Sequence, residues 1–219
     1  MSSTALLLWA KGPGFALGAM VFALGVAQRL VEILWLGRRR DLARPLGRPG
    51  PQAVRTLLAR FLPAPGMLAR SPVVHVGGYA FHLGLLVVVV LYAPHIAAVR
   101  GLFHVGWAAL PGGVIDGVSA LTLAAMVAVL AARLTDPVKR LLSGSGDYLA
   151  WAVTILPLLT GLLAVNRLGL PFETLLALHL LSVELLLAVF PFTPLVHAVT
   201  FVLARSYTGA IAGRKGAHS

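Results

Sequence analysis

LHLLSVELLLAVFPFTPLVH, residues 178–197, sets two histidines, two prolines and one carboxylate in an otherwise apolar run. Pro191 and Pro194 each lack an N–H, so the carbonyls of Leu187 and Phe190 lose their helical donors and the helix bends or widens. Helix breakers and titratable rings are costly in hydrocarbon, so their presence in a span is a functional pointer. The reading depends on whether this run lies in a membrane.

Composition decides that. The chain has 219 residues, 58% of them hydrophobic and 11% charged. That is too little charge to cover a soluble domain of this size. Gly12 to Gln28, Ser71 to Val99, Gly117 to Ala132, Tyr148 to Asn166 and Leu185 to Ala204 carry no Asp, Glu, Lys or Arg. Each run approaches or exceeds the roughly 20 apolar residues needed to cross a bilayer core. The expectation is an all-α integral membrane protein forming one domain over 1–219, with five transmembrane helices near 13–36, 72–99, 113–133, 148–166 and 172–204. The opening MSSTALLLWAKGPG has no basic region before its apolar run and no small-residue cleavage site, so the first hydrophobic segment reads as a retained helix. The absence of cysteine excludes disulfides, thiolate zinc sites and iron–sulfur clusters from this chain.

The net charge of +11 raises nucleic acid as a partner, but its distribution argues against that. With five spans, Arg38, Arg39, Arg40, Arg44, Arg48, Arg55, Arg60 and Arg70, then Arg133, Lys139 and Arg140, then Arg205, Arg214 and Lys215, all fall on one side. Lys11, Arg100 and Arg167 fall on the other, and Arg29 lies in the first helix. Such asymmetry orients the N-terminus outside and the C-terminus in the cytoplasm, in the cell inner (plasma) membrane. The basic side then meets anionic lipid or an acidic cytoplasmic partner. In the loop near 37–71, QAVRTLLARFL (52–62) places Val54, Leu57, Leu58, Phe61 and Leu62 on one stripe, an interfacial amphipathic helix or a dock for a soluble subunit. RPGP and LPAPG bracket it and stop helices on both sides. On the outer side, RGLFHVGWAALPGG (100–113) reads as a short interfacial segment anchored by Trp107.

The histidines carry the chemistry. His179 and His197 are 18 residues apart, five whole turns at 3.6 residues per turn, so on one continuous helix they share a face near opposite leaflets. A lone histidine in a span is usually a packing residue. Two at different depths, matched by His82 and His95 on the second helix, suit two haems that each take one imidazole from each helix. The second and fifth helices run in opposite directions, which pairs His82 with His197 on the inner side and His95 with His179 on the outer side. A metal without haem fits less well, because acids are scarce in the spans.

YAFHLGLL (79–86) and LHLLSVELLLAVFPFTPLVH (178–197) together resemble the gamma subunit of respiratory nitrate reductase, including its relatives in heterodisulfide-reductase-like complexes. The resemblance covers most of the chain in topology and about 35 residues in motif. It implies a five-helix dihaem cytochrome b that oxidises membrane quinol and passes electrons to a cytoplasmic iron–sulfur subunit and its catalytic partner. Some relatives run in reverse and reduce quinone. The implied cofactors are two haems b, with His82, His197, His179 and His95 as axial iron ligands and quinol or quinone as substrate. This chain would not hold the terminal catalytic site.

The second helix departs from the family pattern. Ten residues beyond His82 stands Tyr92, where the family has its second histidine; His95 is 13 beyond, about 220° around an ideal helix. Pro94 can reorient the last turn and bring His95 round, while His104 and Tyr92 remain alternatives for the outer ligand, and a chain with the inner haem alone is a further one. Arg70, Arg133 and Arg205 are candidates for haem propionates or plain membrane anchors, and His75 for an interfacial or propionate-bonding role. Gly77, Gly78 and Gly84 make room for a porphyrin or for a neighbouring helix. Phe190 and Phe192 are placed to pack on a macrocycle. His104, Arg100, Asn166, Arg167 and Glu173 are outer-side candidates for binding quinol, and Glu184 is a candidate proton relay. The rival reading is a haem-free membrane anchor or assembly subunit whose histidines only pack; a small transporter is weaker, because no internal repeat is present.

Overall fold

The computed structural model describes residues 2–36 and 42–217, so Arg38, Arg39, Arg40 and His218 lie outside the described residues. The described chain is helical, with no strand among those residues. Among the described residues, six helices are long and apolar enough to cross a membrane: Ser3–Trp35, Pro72–Leu91, Gly112–Thr135, Ser145–Val165, Phe172–Phe192 and Pro194–Arg214. The protein is therefore an all-helical, multi-pass membrane protein.

The first span begins earlier than the sequence suggests. It comprises α1 (Ser3–Trp9), a π-helical turn at Ala10–Gly14 and α2 (Phe15–Trp35). Pro13 sits inside the π turn, where a widened loop of backbone absorbs the missing N–H that would otherwise break the helix. Ser2 caps the start by accepting from the Ala5 N–H, and the Thr4 hydroxyl donates to Glu173 at 2.8 Å, tying this end to the start of α10 (Phe172–Val189).

The second expected helix is divided. α5 (Pro72–Leu91) stops at Tyr92, whose backbone is extended, and α6 (Ala93–Phe103) starts anew with Pro94 in its first turn. Three carbonyls released by the break find other donors. Val88 O accepts from His95 Nδ1 at 3.0 Å, Val90 O from Trp107 Nε1 at 2.7 Å, and Leu91 O from Leu110 N at 2.9 Å. Trp107 thus seals a helix end, a role beyond the surface anchor expected of it. The chain returns beside Leu91 and enters α7 (Gly112–Thr135).

The fifth expected helix is divided as well, so the expected run 172–204 is two candidate spans. Thr193 is extended between two short 3-10 turns, Phe190–Phe192 and Pro194–Val196, and α11 (His197–Arg214) follows. Phe190 O is satisfied by the Thr193 N–H and hydroxyl, at 3.4 and 3.2 Å. Pro191 O accepts from Arg29 Nε at 3.1 Å, and Arg29 is held by Glu32 at 2.8 Å. Two prolines three residues apart therefore produce a complete break with its own substitute donors.

Close packing runs in one chain of neighbours: α5 on α7, α7 on α9 (Ser145–Val165), α9 on α10, and α10 on α2. Small residues set the closest approaches. A Cβ on Gly25 would lie 2.6 Å from the Pro191 ring, and one on Gly77 would lie 2.6 Å from Val129. Gly84 is tighter still, because a Cβ there would overlap the Thr122 side chain, which is buried and fixed by its hydroxyl to Val118 O at 2.6 Å. Gly84→Val is expected to force α5 away from α7 at a cost of about 1–3 kcal/mol. A lower thermal midpoint in detergent reads the loss, and Thr122→Ala in the same chain should recover most of it.

Outside this row, α3 (Pro49–Ala59) packs along α11. Leu46 N bonds Arg214 O at 2.9 Å, and Phe61 meets Phe201 at 6.0 Å between ring centroids. The two helices are therefore antiparallel.

Candidate functional site

Four histidines come together in two pairs, each bridging the α5–α6 arm and the α10–α11 arm. The His82 and His197 ring centroids are 6.1 Å apart, and those of His95 and His179 are 6.2 Å apart. These are the partners expected from opposed helix directions. The reason differs from the expected one, because His179 and His197 stand on separate helices. Their alignment comes from the break at Thr193 and not from five uninterrupted turns.

Each ring is held by its own backbone carbonyl through Nδ1. The partners are Gly78 O for His82 (2.7 Å), Val88 O for His95 (3.0 Å), Pro157 O for His179 (3.0 Å) and Pro194 O for His197 (2.7 Å). A carbonyl oxygen can only accept, so Nδ1 carries the proton in all four rings. Nε2 is then left with its lone pair, and it makes no hydrogen bond among the described residues. A carbonyl bond through the other ring nitrogen is the usual way to fix the tautomer and direction of a metal-binding histidine.

Distance tests what such pairs can hold. An imidazole nitrogen binds a metal at about 2 Å and lies about 1 Å from its ring centroid, so two trans imidazoles on one ion have centroids about 6 Å apart. Both pairs match. Among the described residues no group of three or more His, Cys, Asp or Glu is assembled to hold a metal ion. With two imidazoles at each pair, any further ligands of a bound iron would have to come from a group the protein does not supply, as a macrocycle would. The donor type and ring spacing of each pair are compatible with a bis-histidine haem.

The seats of the rings differ. His179 is half-buried against α9, where Gly161 admits it; a Cβ there would lie 3.2 Å from its ring. The Thr160 hydroxyl lies 3.4 Å from His179 Nδ1 and 3.0 Å from the Ser182 hydroxyl, completing a small polar shell. Gly161, Pro157 and Thr160 were not singled out from sequence; a proline inside an apolar run was the available signal. His95 reaches Val88 O, seven residues back, only because α5 stops at Tyr92. Tyr92 itself stands edge-on to His95, with centroids 5.1 Å apart. His104, the other alternative, closes α6 in a left-handed conformation and is exposed. His82 and His197 are both exposed, and Phe81 lies against His82 with centroids 4.0 Å apart.

The remaining candidates separate. Gly77 and Gly84 serve helix packing against α7, whereas a Cβ on Gly78 would meet nothing within 4 Å. Phe190 packs on Phe22 at 5.1 Å, and Phe192 is exposed. His75 Nδ1 donates to Ser71 O at 2.8 Å. Arg133 donates to the Ser143 hydroxyl at 2.8 Å with Asp147 at 3.9 Å, and Arg205 lies over the Phe61 ring at 4.9 Å with Nη1 buried and unpartnered. Arg70 lines a cavity of about 340 Å³ beside Lys139 and Asp136. At the opposite end, Glu173 is engaged by Thr4, Asn166 Nδ2 donates to Leu162 O at 2.9 Å, and Arg167 stacks over Phe172 at 5.7 Å. Arg100 lines a cavity of about 180 Å³ with Trp107 and Ile96, one turn from His95. Glu184 is buried, one oxygen is unpartnered, and Gly14 and Gly18 of the first span close over it.

The class these features define is a multi-pass helical membrane protein with two facing histidine pairs. A protein of Nitratidesulfovibrio vulgaris (strain Hildenborough), whose name states no activity, is 32% identical to the chain over 140 residues. The match covers 64% of this chain and 62% of that relative, less than two thirds of its length. No family model matches the chain, and no solved structure matches it.

Proposed function

We propose that the chain is a membrane cytochrome b with two haem sites, His82–His197 and His95–His179, that carries electrons between the quinone pool and a cytoplasmic redox partner. The observation that carries the reading is the doubled geometry: two imidazole pairs at 6.1 and 6.2 Å, each ring proton-anchored through Nδ1. Bound haem would supply reversible one-electron chemistry. The protein residues fix tautomer and direction, keep four Nε2 lone pairs available and put the two pairs at different depths. The likeness of YAFHLGLL and LHLLSVELLLAVFPFTPLVH to the nitrate reductase gamma subunit supports quinol as donor and an iron–sulfur subunit as acceptor.

The same reading gives five crossings, because α11 packs along α3 and not within the row of spans. α3 has 11 residues, about 16 Å of helix and too short to cross. With α10 as the fifth crossing and α11 turned aside at the Thr193 break, the arginine-rich segments share the cytoplasmic side and the N-terminus lies outside.

The test is the haem content of the purified full chain, by pyridine haemochrome, followed by addition of a menaquinol analogue to oxidised chain in liposomes. Two haems b per chain, reduced by the quinol analogue, is the expected result. A folded chain from haem-replete cells with no Soret absorption would leave the haem-free anchor.

A further inference from the structure

α3 is packed inside out. Its polar residues Gln52 and Thr56 are 8% and 0% exposed, while Val54 and Leu58, and Leu62 just beyond its end, are 58%, 62% and 75% exposed. The cause is on α11. Gly209 and Gly213, four residues apart, bring the backbones so close that a Cβ on either would lie 2.6–2.7 Å from Gln52, Thr56 or Arg48 atoms. Close approach through small residues spaced by four, with hydroxyl and amide side chains at the contact, is how helices associate in lipid. In water an 11-residue helix would bury the opposite stripe.

Charge says what covers the outward face. At about 100° per residue, Val54 and Leu58 lie opposite Gln52 and Thr56, and Arg55 and Arg60 fall on the two flanks. Both arginines are exposed, and segments 42–71 and 194–217 hold eight Arg or Lys and no Asp or Glu. A helix with an apolar stripe flanked by arginines suits the headgroup boundary, where the side chains extend to phosphates while the stripe enters the acyl region. Its depth is set by a bond: Tyr79, two turns inside α5, donates to Phe61 O at 2.7 Å.

We infer that α3 and α11 form an anionic-lipid anchor, with Val54, Leu58 and Leu62 in the acyl boundary and Arg48, Arg55 and Arg60 on lipid phosphates. The anchor would hold the basic end of the bundle at a fixed depth, independently of the haem reading.

The chain has no cysteine, so single labels are clean. Spin labels at Leu58→Cys, Leu62→Cys and Arg55→Cys would be read in full-length chain in nanodiscs, by accessibility to oxygen and to a soluble nickel chelate. Leu121→Cys, on the exposed face of α7, is the membrane-embedded reference. In discs containing phosphatidylglycerol, labels at 58 and 62 should favour oxygen over nickel several-fold and the label at 55 should favour nickel. Pure phosphatidylcholine, or Arg48→Gln/Arg55→Gln/Arg60→Gln with the label at 58, should reduce that preference at least several-fold while the reference holds. Nickel access at 58 and 62 in both lipids would overturn the proposal. So would protection that appears only when a cytoplasmic protein fraction is added, which would assign the face to a protein, and so would equal depth with and without anionic lipid.

Discussion

His197→Ala should lower the haem content of the purified chain from two to one, and His82→Ala should do the same. On the proposed reading the two rings hold one haem between them, and losing either imidazole would break that site. The double variant His82→Ala/His197→Ala should therefore also retain one haem, where independent sites would lose two. His179→Ala should leave the other pair intact, and His82→Ala/His179→Ala should leave none. These pairings follow from ring separations of 6.1 and 6.2 Å and differ from any pairing along one arm. Pyridine haemochrome against protein concentration measures the ratio. Alanine is tolerable for the fold at 82 and 197, because both side chains are exposed and each bonds only its own helix turn. If all four single variants kept two haems, the assignment would fail.

Much of this arrangement was legible because its physics is local. Uncharged runs report spans directly, and opposed helix directions are enough to pair His82 with His197 and His95 with His179. The breaks were harder. A proline announces a lost donor but not the degree of bending, which depends on what rescues the freed carbonyls. At 88–91 the rescuers are His95, Trp107 and Leu110, and at 191 it is Arg29. Those partners are up to 162 residues away in sequence, so each interrupted span reads as one long helix until they are seen. The 220° offset of His95 was the clearest conflict with an ideal helix, and the break at Tyr92 resolves it. The amphipathic stripe of α3 was visible, but its polar face packing on Gly209 and Gly213 was not, because nothing local marks two distant segments as partners.

If each histidine pair holds a haem, as proposed, the two sites should also differ in the electron paramagnetic resonance of the oxidised protein. The His95 and His179 rings are nearly parallel, at 12°, whereas His82 and His197 are nearly perpendicular, at 75°. The plane of an axial imidazole sets the direction in which it perturbs the iron d orbitals. Parallel planes add their perturbations, split the orbitals and give a rhombic low-spin signal. Perpendicular planes oppose one another and give a near-axial signal with one large g value. The carbonyl bonds to Nδ1 resist rotation of all four rings, so the difference should survive in frozen solution. His179→Ala is expected to remove the rhombic signal, and His197→Ala the large-g signal. The same variant series thus reads geometry where haem counting reads occupancy. Two identical signals, or loss of the large-g species from His179→Ala, would mean that the ring planes seen at the two pairs are not those of the haem-loaded protein.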